Sequence, residues 1–166
     1  MSRPRHRSDD DRLGFDETTN YVTRALSRLV PEWVARRAVT VSVDTSKAVY
    51  RRGEPVDIVV EFENRLPVPV SVPTVERRLW EWRVDGMLEA TDEPRYVDRS
   101  PGSFEFRGGE RKRIVHRWNG RFRRAEGVDG LPTSEPAAPG EHTISVSLAT
   151  REPDDRPTDR TTVTVR

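Results

Sequence analysis

Gly108-Gly109-Glu110-Arg111-Lys112-Arg113-Ile114-Val115-His116-Arg117-Trp118-Asn119-Gly120 and, after a long insert, Pro139-Gly140-Glu141-His142-Thr143-Ile144-Ser145-Val146-Ser147-Leu148 are the two runs on which the fold turns. In the first, Ile114, His116 and Trp118 alternate with Val115 and Arg117. In the second, Ile144, Val146 and Leu148 alternate with Ser145 and Ser147. A period of two puts each set on one face of a half-buried strand. Gly-Gly-Glu and Pro-Gly-Glu ahead of the two runs supply the fixed and positive φ values of tight turns. Punctuation and alternation agree on two strands of one β-sandwich.

Working outward, the same period recurs. Val39, Val41 and Val43 alternate with Thr40, Ser42 and Asp44; Val56, Ile58, Val60 and Phe62 share a face; Trp80, Trp82 and Val84 oppose Glu81 and Arg83. Tyr50 to Pro55 reads as a turn, and Asp85-Gly86 is a hairpin signal. Leu66 to Pro73 carries three prolines, each without a ladder donor, and so reads as an edge strand or strand switch. Short strands are expected near Tyr96 and at Phe104 to Phe106, and Thr161 to Val165 closes the chain. Arg121 to Ala138, with its glycines, prolines and arginines, reads as a long exposed loop, and Arg151 to Asp159 as a polar turn.

Ahead of the strands lies a different pattern. Val22, Ala25, Leu26, Leu29, Val30, Trp33 and Val34 form an apolar stripe at helical spacing, with Arg24, Arg28, Arg36 and Arg37 opposite. Pro31 predicts a kink or break near Val30, with a second short helix after it. Such a stripe either covers one end of the sandwich or, being basic with a Trp, lies on an anionic membrane surface. The expected organisation is a disordered tail over 1–15, an amphipathic helical segment over 16–38 and an all-β, immunoglobulin-like antiparallel sandwich over 39–166.

Composition narrows the function. The 166 residues contain no cysteine, which excludes disulfides, thiol nucleophiles and thiolate metal sites. No apolar run is long enough for a signal peptide or a membrane span, so a cytoplasmic location is expected. Of the 29 basic residues only Lys47 and Lys112 are lysines, a skew that suggests a GC-rich genome. The formal net charge is +1, so the whole-molecule field gives no push toward nucleic acid. No Gly-x-Ser-x-Gly elbow, phosphate loop or metal-spaced histidine pair occurs, and His6, His116 and His142 stand alone. No catalytic residue, metal or cofactor is therefore expected, and no small-molecule substrate.

One charge imbalance stands out. Between Pro101 and Ala125 eight bases (Arg107, Arg111, Lys112, Arg113, Arg117, Arg121, Arg123, Arg124) accompany two acids, Glu105 and Glu110. Arg111, Arg113, Arg117, Arg121, Phe122, Arg123 and Arg124 are the candidate partner-binding residues. A protein partner is the first expectation. Anionic membrane through the helix, or nucleic acid on the arginine face with its interleaved aromatics, are the alternatives.

The order of motifs resembles the intracellular proteinase inhibitor (BsuPI-type) domain. The residues that carry the resemblance are Val59-Val60-Glu61-Phe62-Glu63-Asn64 before the Pro/Val strand, Trp80-Glu81-Trp82 with Asp85-Gly86, Gly109-Glu110 through Trp118-Asn119-Gly120, and Pro139-Gly140-Glu141-His142-Thr143-Ile144. It covers about residues 39 to 150. The resemblance implies an immunoglobulin-like sandwich without catalytic function and, through the family's founding activity, inhibition of an intracellular serine protease. The segments 16–38 and 121–138 are extra to that pattern, so no inhibitory loop is carried over.

Overall fold

The structure is a computed structural model that describes residues 30–75, 78–88, 100–124, 133–151 and 156–166. Among the described residues one helix, α1 (Glu32–Ala38), is followed by twelve strands: β1 (Val39–Thr45), β2 (Val49–Tyr50), β3 (Val56–Asn64), β4 (Val70–Thr74), β5 (Trp80–Val84), β6 (Met87–Leu88), β7 (Gly102–Phe106), β8 (Arg111–Trp118), β9 (Arg121–Arg124), β10 (Thr133–Pro136), β11 (Gly140–Leu148) and β12 (Thr158–Val165). The expected tail, the helical stripe before Val30 and the strand near Tyr96 lie outside the described residues.

Two sheets face each other. One has the order β1-β3-β8 and the other β2-β12-β11-β5-β6, with β4-β7 and β9-β10 as separate antiparallel pairs. The two deciding runs, β8 and β11, thus belong to opposite sheets. β1-β3-β8 takes the A-B-E positions and β12-β11-β5 the G-F-C positions of an immunoglobulin-like sandwich. The front of the chain serves both sheets: β1 pairs antiparallel with β3, and β2 pairs parallel with β12.

The alternating residues build the core. Val56, Ile58, Val60 and Phe62 are completely buried, as are Val84, Ile144, Leu148, Val163 and Trp118. They form one cluster with Val70, Val72, Phe104 and Phe106. β4 pairs along its length with β7, and at its end Thr74 bridges Thr150 beyond β11. Asp85 (φ 50) and Gly86 (φ 81) make the β5–β6 hairpin with two consecutive positive φ values, as the Asp-Gly signal predicts.

A buried polar knot ties two loops of the sandwich together. Asn64, fully buried at the end of β3, donates to the carbonyls of Val68 (2.9 Å) and Arg107 (2.8 Å) and accepts from the Leu66 N–H (3.0 Å). Gly109 N–H meets the Leu66 carbonyl at 2.8 Å. A Cβ at Gly108 would run into the Pro67 carbonyl, so the two loops close to this distance only with glycine there.

Two expectations are corrected. Residues 121–138 are not one open loop: β9 and β10 pair from Arg121↔Pro136 to Arg124↔Thr133, and residues 125–132 are outside the described set. The helix after Pro31 also turns a different face inward. Ala35, Arg36 and Ala38 are buried, whereas Trp33 is 55% exposed. Pro31 occupies the cap position with ψ 145, so the helical phase does not run through it and α1 takes its own rotation.

Candidate functional site

The seven candidate residues separate onto two structures. Arg111, Arg113 and Arg117 lie on the outward face of β8, where strand register decides their neighbours. They stand opposite Glu63, Glu61 and Asp57 of β3, and Val115 stands opposite Val59. Arg111 Nη2 bonds Glu63 Oε1 at 3.0 Å. Arg117 reaches Asp57 with both Nε (2.8 Å) and Nη2 (3.4 Å). The Arg117 hydrogen bond holds the Asp57 carboxyl below its usual range. With Asp44 of β1, opposite Val59, the face carries three guanidiniums and four carboxylates. Two arginines of the run that is basic in sequence are therefore ion-paired across the strands, and the third, Arg113, stands opposite Glu61, because the acidic complement sits on β3, some fifty residues earlier.

At the centre of those pairs is Val115, 62% exposed. The charged rows before and after it leave an apolar spot with a polar rim, the arrangement of a protein–protein contact patch.

Arg121, Phe122, Arg123 and Arg124 belong to β9. The Arg121 guanidinium is held by β10, donating from Nε to Ser134 Oγ and from Nη2 to the Ser134 carbonyl, both at 2.8 Å. Phe122 leans on Trp118 (ring centroids 5.4 Å) and on His142 (5.9 Å). Arg123 is exposed. Trp118 Nε1–H donates to the Arg121 carbonyl at 2.9 Å, which fixes the hairpin to the core across the Asn119-Gly120 turn.

His142 forms a second polar centre beneath this hairpin. Its Nδ1 is 2.6 Å from Asp85 Oδ2 and its Nε2 is 2.7 Å from the Ala138 carbonyl. Both partners are acceptors, an arrangement that favours the imidazole with a proton on each ring nitrogen. Burial opposes that charge, but the Ala138 carbonyl and the Asp85 carboxylate outweigh it and raise the His142 pKa above its ordinary value. Asp85 Oδ1 also accepts the Thr143 N–H at 2.9 Å. The alternation shows that His142 sits on a strand; of its two acceptors Ala138 is local, four residues earlier, whereas Asp85 comes from the distant β5–β6 turn and leaves no sequence signal. His116 rests against Trp82 at 4.7 Å between centroids. Among the described residues no group of three His, Asp or Glu side chains is placed to hold a metal ion, and no helix is long and apolar enough to cross a membrane.

Strand order, the front strands β1 and β2 with one in each sheet, and the buried inner faces define an immunoglobulin-like β-sandwich with a charge-laced outer face. The chain belongs to the family described as "Family of unknown function (DUF7974)", which matches residues 27–166. No curated protein matches it. Among solved structures it is similar to the CARDB domain of PF1109 from Pyrococcus furiosus in solution, with 13% identity, TM-score 0.45, and coverage of 77% of this chain and 94% of that one. The crystal structure of the same domain in complex with di-metal ions gives 13% identity, TM-score 0.45, and coverage of 76% and 91%. A β-glucosidase from Erythrobacter marinus gives 12% identity and TM-score 0.46 over 77% of this chain and 15% of that one.

Proposed function

We propose that this chain is a non-catalytic protein-binding module whose contact surface is the outward face of β1-β3-β8. The observation that carries the reading is Val115, a large apolar side chain left 62% exposed in the middle of ordered ion pairs. Isolated exposed valines occur on many surfaces. Here Arg117 on one side and Arg111 further along the strand are ion-paired to Asp57 and Glu63, so a partner that covers Val115 meets a rim of charged groups that already have partners across the sheet. Arg123 on the hairpin is a further exposed contact residue. The resemblance to the intracellular proteinase inhibitor domain supports a protease as the kind of partner. Inside the cell is the setting that resemblance implies.

The exposed Trp33, with the Arg37 guanidinium 5.8 Å from its ring, favours one second reading, contact of α1 with an anionic membrane. Flotation with anionic vesicles checks it: protein in the floated fraction supports membrane contact, and none there removes it.

The main reading is tested by affinity capture from native lysate with the wild-type chain and with Val115→Glu, a substitution at an exposed site that leaves the core intact. The wild type should retain one stoichiometric partner, and the variant should lose at least tenfold in affinity, since docking would lose the apolar contact and desolvate an added carboxylate, together more than the ~1.4 kcal/mol that a factor of ten represents. Equal capture by both chains would reject this face.

A further inference from the structure

The sandwich has a second feature, remote in its chemistry from the sheet face: a cleft of about 330 Å³ between α1, the edge of β1 and the start of β12. Arg36, Arg37 and Arg156 line it, and no carboxylate does among the described residues. All three guanidiniums have partners, and that of Arg37 lies 5.8 Å from the Trp33 ring. The Arg36 side chain is only 7% exposed and lies 3.7 Å from Glu32 one turn earlier. Arg156 donates from Nε (3.1 Å) and Nη2 (2.8 Å) to the Thr150 carbonyl and lies 3.5 Å from Glu81, a carboxylate it shares with Arg83. Val39, Val41 and Pro157 make the apolar part of the wall.

The edge of β1 adds a backbone donor. Its even-numbered residues bond β3 on one side, as the step from Ser46 N–H to the Asp57 carbonyl (3.2 Å) continues to show. The odd-numbered amides point to the free edge. Along that edge Val39 N–H is taken by the Ala35 carbonyl, Val43 N–H by Asp159 Oδ2 at 2.9 Å, and Thr45 N–H by Asp44 Oδ1 at 2.7 Å. The remaining one, Val41 N–H, points to the same edge from a residue that lines the cleft. Asp159 displays the chemistry in miniature: this edge amide row accepts a carboxylate. One repeat along, roughly 7 Å away, the equivalent amide is accompanied by arginines.

We propose that the cleft binds a small organic anion, a carboxylate or phosphate ester with an apolar body. Its oxyanion sits between the guanidiniums and the Val41 N–H, and its carbon part lies along Val39, Val41 and Pro157. Charge-assisted bonds to several guanidinium donors and one amide make the site selective for oxyanions over neutral ligands of the same shape. The volume is at the lower end of small-molecule sites, which limits the ligand to a phosphate or carboxylate carrying about one ring.

The test is a titration of the full-length, nitrogen-15-labelled chain followed by its amide resonances, with phenyl phosphate, benzoate and benzyl alcohol as probes. One or both anions should shift the Val41 amide saturably while benzyl alcohol leaves it in place, and the comparison of the two anions tells which oxyanion the site prefers. Arg37→Gln and Arg156→Gln should each weaken the binding by about tenfold, with Arg123→Gln on the distant hairpin unchanged. Arg37 is exposed, so its variant keeps the fold and carries the test if Arg156→Gln does not. No saturable shift of Val41 with either anion, or a shift that persists undiminished in Arg37→Gln, overturns the proposal.

Discussion

Replacing Asn64 by alanine is expected to destabilise the chain by about 4 kcal/mol, a large share of the stability of a domain this size. The substitution removes one fully buried side chain and leaves three part-buried backbone groups without their partner: the Val68 and Arg107 carbonyls lose their donor and the Leu66 N–H its acceptor. Each buried group without a partner costs about 1–3 kcal/mol, partly recovered where water enters. Asn64→Asp separates the two halves of the effect. It keeps the acceptor for Leu66 but sets a carboxylate oxygen against two carbonyls, and should be no better tolerated than alanine. Urea unfolding measures both. A loss under 1 kcal/mol for Asn64→Ala would mean that the loops 64–70 and 107–110 are not joined through this residue.

The second large effect is expected at the His142–Asp85 pair. The folded-state pKa of His142 is raised, so its contribution to stability is full below about pH 6.5, the unfolded value. That contribution is lost as the pH climbs through the raised folded value, where the native state gives up a proton that both acceptors require. Removing the acceptor by Asp85→Ala leaves a buried imidazolium beside Trp118 and Phe122 and frees the Thr143 N–H. Breaking a buried ion pair costs about 3–5 kcal/mol. Asp85 is 43% exposed, so solvent screens part of it and the loss should be about 2 kcal/mol. Unfolding measured from pH 5 to pH 9 should show wild-type stability falling toward the alkaline end relative to His142→Gln. Parallel pH profiles for those two chains would show that His142 is not held as a cation.

What could be read in the sequence was local. The alternation in Val56 to Phe62 and Ile144 to Leu148 places every one of those core residues correctly, because a strand's two faces depend only on neighbours two apart. The Asp85-Gly86 turn and the proline-rich edge strand follow from single-residue geometry and are equally legible. The rest depends on partners far along the chain. Arg111 and Arg117 look like a free basic stripe until register sets Glu63 and Asp57 beside them. The β9–β10 ribbon is hidden because Arg121 to Arg124 and Thr133 to Pro136 have no apolar alternation; Arg121 and Ser134 hold it with polar groups. Arg36 looks solvent-facing when the helix is drawn continuously through Pro31, and becomes buried when the helix restarts after it. Asn64 and His142 each join a local acceptor, Val68 or Ala138, to a distant one, Arg107 or Asp85, that only the closed sandwich brings near.

The claim at the centre of this account is that the ion-paired outer sheet around Val115 is where another protein docks. The most direct measurement is a titration of a chain with labelled valine methyls, using the partner recovered by capture. The account predicts that the methyl signals of Val115 and Val59 shift or broaden first, while those of buried Val84 and Val163 stay where they are. Val115 and Val59 standing still while other methyl signals respond would contradict it.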